Sequence, residues 1–405
     1  MATHRLYYDD SFLQNFSARV VDCGPVEPFA DASGTQPAWG VVLDATAFYP
    51  SSGGQPNDFG RLGTARVLDV RDEGDEIVHI VDQEISLGAV EGCVDWGRRF
   101  DHMQQHTGQH LLSAMLQERF GLPTVSFHLG SELCTIDVRG PEPSEDALRG
   151  AQRAANAIVF ADRPVHVRYG TADQLARDGV RKQVDREGIL RAIEIEGVDL
   201  QPCGGTHVKT TGQIGLVLIR RCTKIRQDWR VEFACGGRAE RIATEAYQLL
   251  RAIGERLSCA PEEAPVAIEK ASAERDSSFK SLRSTLQQLA EARAKLMIAS
   301  TVPTNHAVRV VAEVLREENP ELLLPLATEL ARSEKVVALL VHELTGQLVF
   351  AQSAEAGKDL SSTLKQVLAA IPGKGGGTRD FVRAKLNDPT QCPAALALAT
   401  RLLGD

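Results

Sequence analysis

His106-Thr107-Gly108-Gln109-His110 and Cys203-Gly204-Gly205-Thr206-His207 lie roughly 90 residues apart, and each offers two side chains able to bind a metal. No other feature restricts the fold so severely, because one ion can take all four donors only if the intervening chain brings the pairs together. Histidines at i and i+4 share a helix face, with Cβ atoms about 5 to 6 Å apart, so both imidazoles can reach an ion at about 2.0 Å. The Gly-Gly centre of the second pair predicts a tight loop in which a thiolate and an imidazole point the same way. Each half also has a plainer explanation. A lone H-x-x-x-H on an apolar helix is commonly a pair of partly buried structural histidines, and a free cysteine commonly packs as a small hydrophobe. From residue chemistry alone, a shared metal site and unrelated structural side chains stand level.

With 405 residues the chain can bury two or three separate cores. No apolar run approaches the ~20 residues that span a bilayer, and the start, Met-Ala-Thr-His-Arg-Leu, lacks the apolar stretch of a secretion signal. No membrane partner and a cytoplasmic location are therefore expected. The eight cysteines are scattered without paired spacing, which fits reduced thiols better than a disulfide scaffold. A net charge of −9 excludes indiscriminate coating of nucleic acid. Local basic clusters remain, at Arg98-Arg99 and along the run from Arg220 to Arg230, which includes Arg226. They are either phosphate contacts or solvated charge.

The chain divides into four segments. Residues 1–95 are β-rich, with strands expected at Trp39–Asp44, Thr64–Val70, Glu76–Val81 and Gly88–Asp95 and a hairpin turn at Arg71–Asp75. A small barrel or strongly curved sheet is the natural outcome. Within it, Phe48 to Gly60 is too rich in glycine and proline for an interior strand and must be a loop. Residues 96–240 mix helices (Asp101–Phe120, stopped by Gly121, and Ser144–Ala161) with strands at Leu190–Ile195, Ile214–Ile219 and Arg230–Cys235. Residues 241–300 read as helical. Phe279, Leu282, Leu286, Leu289 and Leu296 form a short seam interrupted by Arg293, which suits a helical hairpin or a modest homodimer contact. Residues 301–405 return to alternation, with strands at Ala307–Val314, Lys335–Val341 and Gln347–Gln352 and helices at Glu321–Ser333, Asp359–Ala370 and Pro393–Leu403. The glycine run from Gly373 to Gly377 lacks P-loop spacing and reads as a mobile linker, with a backbone anion nest as the alternative. The fold class is α+β.

In order, Y-P-S-S-G-G-Q-P-N-D-F-G, R-R-F-D-H-M-Q-Q-H-T-G-Q-H-L-L, S-F-H-L-G-S, C-G-G-T-H-V and R-V-E-F-A-C-G resemble the editing half of alanyl-tRNA synthetases and the free-standing AlaX editing family. The long AlaX form adds a helical segment and a glycine-rich domain similar to the DHH-associated domain. The resemblance implies an N-terminal β-barrel-like domain, an α+β zinc editing domain, a helical segment and a C-terminal α/β domain. It implies one zinc per chain, held by His106, His110, Cys203 and His207, and a mischarged alanine tRNA as partner. The reaction implied is hydrolysis of the ester at the tRNA 3′ end, with serine the main acyl group and glycine the second. A synthetase pocket built for alanine rejects neither well. The chain opens at the β-domain with no room upstream for an ATP site, which implies editing in trans.

By the same resemblance, Ser51 stands where threonine is usual and is expected to read the serine hydroxyl, with Gln109 as the alternative. His128 is expected to be a general base or a contact to the terminal adenosine, or else structural. Gly53, Gly54 and Gln55 belong to the substrate loop. Arg98, Arg99, Arg226 and Arg230 would face the acceptor stem, and Gly376 and Gly377, beside Lys374 and Arg379, another part of the tRNA. Four protein ligands leave zinc no open position, so zinc positions the substrate if all four hold and activates water if one is loose. Two rival functions compete with editing: a zinc-stapled RNA-binding module without catalysis, and a DHH-related phosphoesterase. For the latter, Asp101-His102-Met103 lacks the third signature residue and no Asp-rich cluster accompanies it.

Overall fold

A computed structural model describes residues 2–31, 34–182, 185, 187–303, 308–316 and 318–404. The chain forms two compact units, Met1–Ala252 and Ile253–Asp405.

In the first unit six strands, β1 (Asn15–Asp31), β2 (Gly34–Leu43), β3 (Gly60–Leu62), β4 (Ala65–Glu73), β5 (Glu76–Val81) and β6 (Gly88–Val94), close into a barrel in the order β1-β2-β5-β4-β3-β6, beside a short parallel pairing of His4–Arg5 with Ala45–Thr46. Alternating positions send Val41, Leu43, Leu62, Val70 and Ile77 inward, where they are buried together with Phe48. The longest strand, β1, escapes a pattern reading because Gly24, Pro25 and Pro28 interrupt it. Its pairing with β2 shifts register between Val26 and Phe29, and the bulge admits Pro28. Residues 47–59 form the expected loop, with a single bridge between Ser52 and Gln55.

Next come α1 (Trp96–Phe120), β7 (Thr124–Leu129), β8 (Cys134–Val138), α2 (Glu145–Phe160), β9 (Val165–Gly170), α3 (Ala172–Arg177), β10 (Leu190–Ile195), β11 (Asp199–Pro202), β12 (Val217–Ile225) and β13 (Asp228–Cys235). They build two antiparallel sheets, β12-β13-β8-β7 and β9-β10-β11. Helix α1 starts at Trp96 and not at Asp101, because Asp95 caps it by accepting from Arg98 N, and it ends at Gly121 in a left-handed cap (φ 65°). Its burial is unusual: Gln105, Thr107, Gln109 and Ser113 are buried along with Leu111, Leu112 and Leu116. Such polar groups need partners. Gln105 finds them on β13, accepting from Cys235 N at 2.7 Å and donating to Cys235 O at 2.9 Å. Gly108 allows this close approach, since a Cβ there would lie 2.2 Å from Cys235 Sγ.

Helix α4 (Gly236–Leu257) spans the boundary between the units. The second unit contains α5 (Ala264–Ser300), β14 (Arg309–Leu315), α6 (Leu323–Ala331), β15 (Val336–His342), β16 (Gln347–Gln352), α7 (Leu360–Ala370), β17 (Gly373–Gly377), β18 (Phe381–Leu386) and α8 (Cys392–Gly404). Its five-stranded sheet has the order β14-β15-β16-β18-β17. Strand β15 is buried on both faces: Val337, Leu339 and Val341 join the core with α7 and α8, while Val336, Ala338 and Leu340 join the core with α5 and α6.

One expectation fails in this unit, that of the glycine run, and most of the heptad seam is not packed against this chain. Of the heptad seam only Leu286 is buried, whereas Phe279, Leu282, Leu289 and Leu296 are exposed. The face that packs is Leu286, Ala290 and Ala294, chosen by the contour of α6, and Arg293 pairs with Glu318 at 2.7 Å. The glycine run is neither linker nor nest. It is edge strand β17, paired to β18 through Gly375↔Ala384 and Gly376↔Arg383. Ala307, the first residue of the expected strand there, lies outside the described residues. Among the described residues, no helix is long and apolar enough to cross a membrane.

Candidate metal centre

Helix α1 carries His106 and His110 on one face, and β11 delivers the chain to the loop from Cys203 to His207, which folds back over that face. The ligand atoms of His106, His110, Cys203 and His207 all lie within 4.8 Å of one another. Cys203 Sγ is 3.4 Å from His106 Nε2 and 3.3 Å from His207 Nε2. The loop gets this close only because residue 205 is glycine: a Cβ there would sit 2.3 Å from the His106 ring. Arg191 pins the loop from behind, donating through Nη1 to Cys203 O at 2.7 Å and to Gly205 O at 3.0 Å.

Each imidazole is held by its far nitrogen. His106 Nδ1 lies 2.8 Å from Gln55 Oε1, His207 Nδ1 lies 3.1 Å from Thr107 Oγ1, and His110 Nδ1 lies 3.3 Å from Asp199 Oδ2. This arrangement turns the three Nε2 atoms toward the common centre, as metal-binding histidines require. Gln55 is itself fixed, donating to Thr206 Oγ1 at 2.8 Å and accepting from Thr206 N at 3.2 Å, and Asp199 accepts from Arg181 Nε at 2.7 Å.

Electrostatics ready Cys203 and His207 for a metal, whereas His110 must shed a proton to bind one. Desolvation opposes ionisation of the Cys203 thiol, but the facing His106 and His207 more than reverse this and hold it well below its ordinary value. Burial pushes His207 down to about 3. For His110 burial acts in the same direction, yet its bonds to Asp199 and Cys203 outweigh it and bring the ring up to about 9. One thiolate and three imidazoles in tetrahedral reach suit zinc.

A cavity of about 350 Å3 opens beside the cluster, walled by His106, Gln109 and Phe127 and by Tyr49, Ser52 and Gly53 of the barrel loop. Phe127 stacks on His106, with ring centroids 5.3 Å apart. Tyr49 donates its hydroxyl to Ser52 O at 3.2 Å and so braces the loop. Gln109 donates from Nε2 to Ser113 Oγ at 2.8 Å.

Several sequence-derived candidates stand elsewhere. Ser51 is absent from the cavity wall and its Oγ is engaged with Asn57, accepting from Asn57 N at 3.0 Å. His128 is exposed on β7, because the two-residue period that turns Phe127 toward His106 sends its neighbour the other way. Gly54 (φ 87°) docks the loop onto β7, its carbonyl accepting from Leu129 N at 3.0 Å. Gln55 supports a ligand. Arg99 is fully buried, paired with Asp58 and donating to Ser11 O at 2.8 Å, so it cannot face an acceptor stem. Arg98 donates to Asn57 O at 2.8 Å and covers the Phe59 ring. Arg230 is paired with Asp137 at 2.7 and 2.9 Å. Arg226 is exposed at the turn between β12 and β13. Gly376 and Gly377 belong to the second unit, and Asp101 is bound to Arg238 at 2.6 Å. Sequence reasoning missed Asp199, Thr107, Arg181 and Arg191. Only Thr107 carried a local signal, as a polar residue inside the histidine pair.

Residues 190–230, which contain Cys203 and His207, match the threonyl and alanyl tRNA synthetase second additional domain. The chain is 30% identical over 397 residues to the alanyl-tRNA editing protein AlaX-L of Pyrococcus horikoshii, covering 94% of each. It is 30% identical over 407 residues to the alanyl-tRNA editing protein Aarsd1 of Mus musculus, covering 96% of this chain and 95% of the relative. It is also similar to the alanine–tRNA ligase of Pyrococcus abyssi, with 30% identity over 99% of this chain but only 44% of the ligase.

Proposed function

The chain belongs to the alanyl-tRNA editing proteins, and on that footing we propose that it hydrolyses mischarged alanine tRNA in trans, with serine as the main acyl group and glycine as the second. Zinc is the metal, one per chain, held by His106, His110, Cys203 and His207. The observation that carries this reading is the convergence of four ligand atoms within 4.8 Å, three of them from residues (His106, His110 and Cys203) that line a cavity large enough for an aminoacyl ribose.

His106, His110, Cys203 and His207 would hold the zinc, which when bound would supply a fixed positive charge to the site. The protein does the rest. Gln55, Thr107 and Asp199 hold the ligand rings, and Phe127 walls the acyl group from water on one side. Selection against alanine falls to Gln109: one end of its amide is bonded to Ser113, and the other has no protein partner among the described residues. A serine hydroxyl completes that pair. The alanyl ester leaves it unmade in a partly dry cavity, a difference worth about 1–3 kcal/mol. Ser51, bound to Asn57, shapes the loop and does not touch the acyl group.

The test is deacylation of seryl- and alanyl-charged alanine tRNA by the metal-loaded chain. Rapid loss of the seryl ester with sparing of the alanyl ester is expected, and Gln109→Leu should erase that preference. An intact seryl ester at one zinc per chain would overturn the proposal.

A further inference from the structure

Arg181 and Lys182 stand on the wall of the same cavity, and neither was singled out by charge runs or motifs. Arg181 is locked in place. Its backbone N donates to Leu200 O at 3.0 Å, its Nε to Asp199 Oδ1 at 2.7 Å and its Nη2 to Asp199 Oδ2 at 3.4 Å, and only 11% of the side chain is exposed. Its Nη1 has no protein partner among the described residues. The backbone of Lys182 is tied to Gln201 Oε1 at 3.0 Å, while its side chain is exposed and forms no ion pair among the described residues. None of the described residues lining the cavity is acidic.

These two cations differ from three of those that the sequence suggests as phosphate contacts. Arg99 and Arg230 have carboxylate partners and Arg98 a backbone carbonyl. Arg181 also has one, Asp199, but that carboxylate is shared with His110. Two successive hydrogen bonds therefore link the guanidinium to the ligand cluster and fix its distance from it.

We propose that Arg181 and Lys182 bind the phosphodiester on the 5′ side of the terminal nucleotide of the tRNA. The inference rests on the deacylase reading. The scissile ester hangs from the terminal ribose, and the nearest backbone phosphate lies on the other side of that sugar. A rigid guanidinium one bonded carboxylate away from His110 suits an anion at that remove. Because Arg181 is ordered before the substrate arrives, little freedom is lost on binding. Lys182 adds a mobile point charge, so the pair sets the depth to which the 3′ end enters.

The experiment compares seryl-charged alanine tRNA with the phosphate-free ester 3′-O-seryl-adenosine, using the zinc-loaded full chain. For Lys182→Ala, the ratio of kcat/KM for the tRNA to kcat/KM for the phosphate-free ester falls about tenfold, through KM. The log-log salt dependence of KM for the tRNA becomes shallower by about 0.7. Arg181→Lys, which keeps the charge but not the fork, lowers the ratio in the same direction, with zinc content read in parallel to separate this from loss of a ligand support. An unchanged ratio and salt slope in both variants, with wild type active, overturns the phosphate site and leaves the deacylase reading standing. Failure of wild type to cleave either ester removes both.

Discussion

The loop from Cys203 to His207 and strand β17 (Gly373–Gly377) are both glycine-rich, one in each compact unit, and they use the missing side chain for different ends. In the loop, a Cβ on Gly205 would meet the His106 ring at 2.3 Å and Gln55 Oε1 at 2.9 Å, so glycine is required by a ligand and its support. In β17, a Cβ on Gly375 would meet Ala384 Cβ at 2.3 Å and Arg383 O at 2.4 Å, so glycine is required by a neighbouring strand. Their adjacent glycines have no such duty. Gly204 would touch only the Tyr8 side chain, no closer than 3.5 Å, and Gly376 nothing within 4 Å. Composition alone thus says little about role. What decides it is the atom that would occupy the Cβ position.

The sharpest way to break this contrast is Gly205→Ala. His106 cannot yield, being bonded to Gln55 and stacked on Phe127, so zinc affinity in a chelator competition should fall by about 100-fold or more; retention of wild-type affinity would dissolve the distinction. Gln55→Ala should weaken zinc by about 10- to 100-fold in the same assay, because His106 loses the bond that orients it, and an unaltered affinity would remove Gln55 from the site. Gly375→Ala should lower the stability of the second unit by about 1–3 kcal/mol in denaturant unfolding while zinc content stays at the wild-type level. Coupled loss of zinc would show that the two segments are not independent. Gly204→Ala and Gly376→Ala should each stay within about 0.5 kcal/mol, and a large effect from either would mean that space is not what selects glycine at these positions.

The parts of the fold visible in sequence were those with local causes. Helix α1 announced its end through Gly121, α2 its start through Ser144, and β5 its start through the hairpin turn at Arg71–Asp75 and a run of β-branched residues. Strand β1 stayed hidden in part because a bulge, formed only against β2, is what makes Pro28 tolerable. Which face of α5 packs on α6 stayed hidden for a related reason. Period seven identifies leucines on one stripe, but the helix turned toward α6 the stripe with alanines at 290 and 294, where a small side chain permits closer contact. The arginines show the same limit: Arg98 and Arg99 look alike in sequence, yet one partly covers Phe59 at the surface and the other lies fully buried on Asp58.

The residues by themselves offered four candidate donors, two in each motif at four-residue spacing, but left a shared metal site level with unrelated structural side chains. Only the tertiary structure decided which groups hold those donors and which cations stand beside the cavity. Gln55 reaches His106 across 51 positions and Asp199 reaches His110 across 89, and no local pattern records such pairings. A ligand is recognised by what it is, whereas its support and its neighbours exist only once the chain has closed around them.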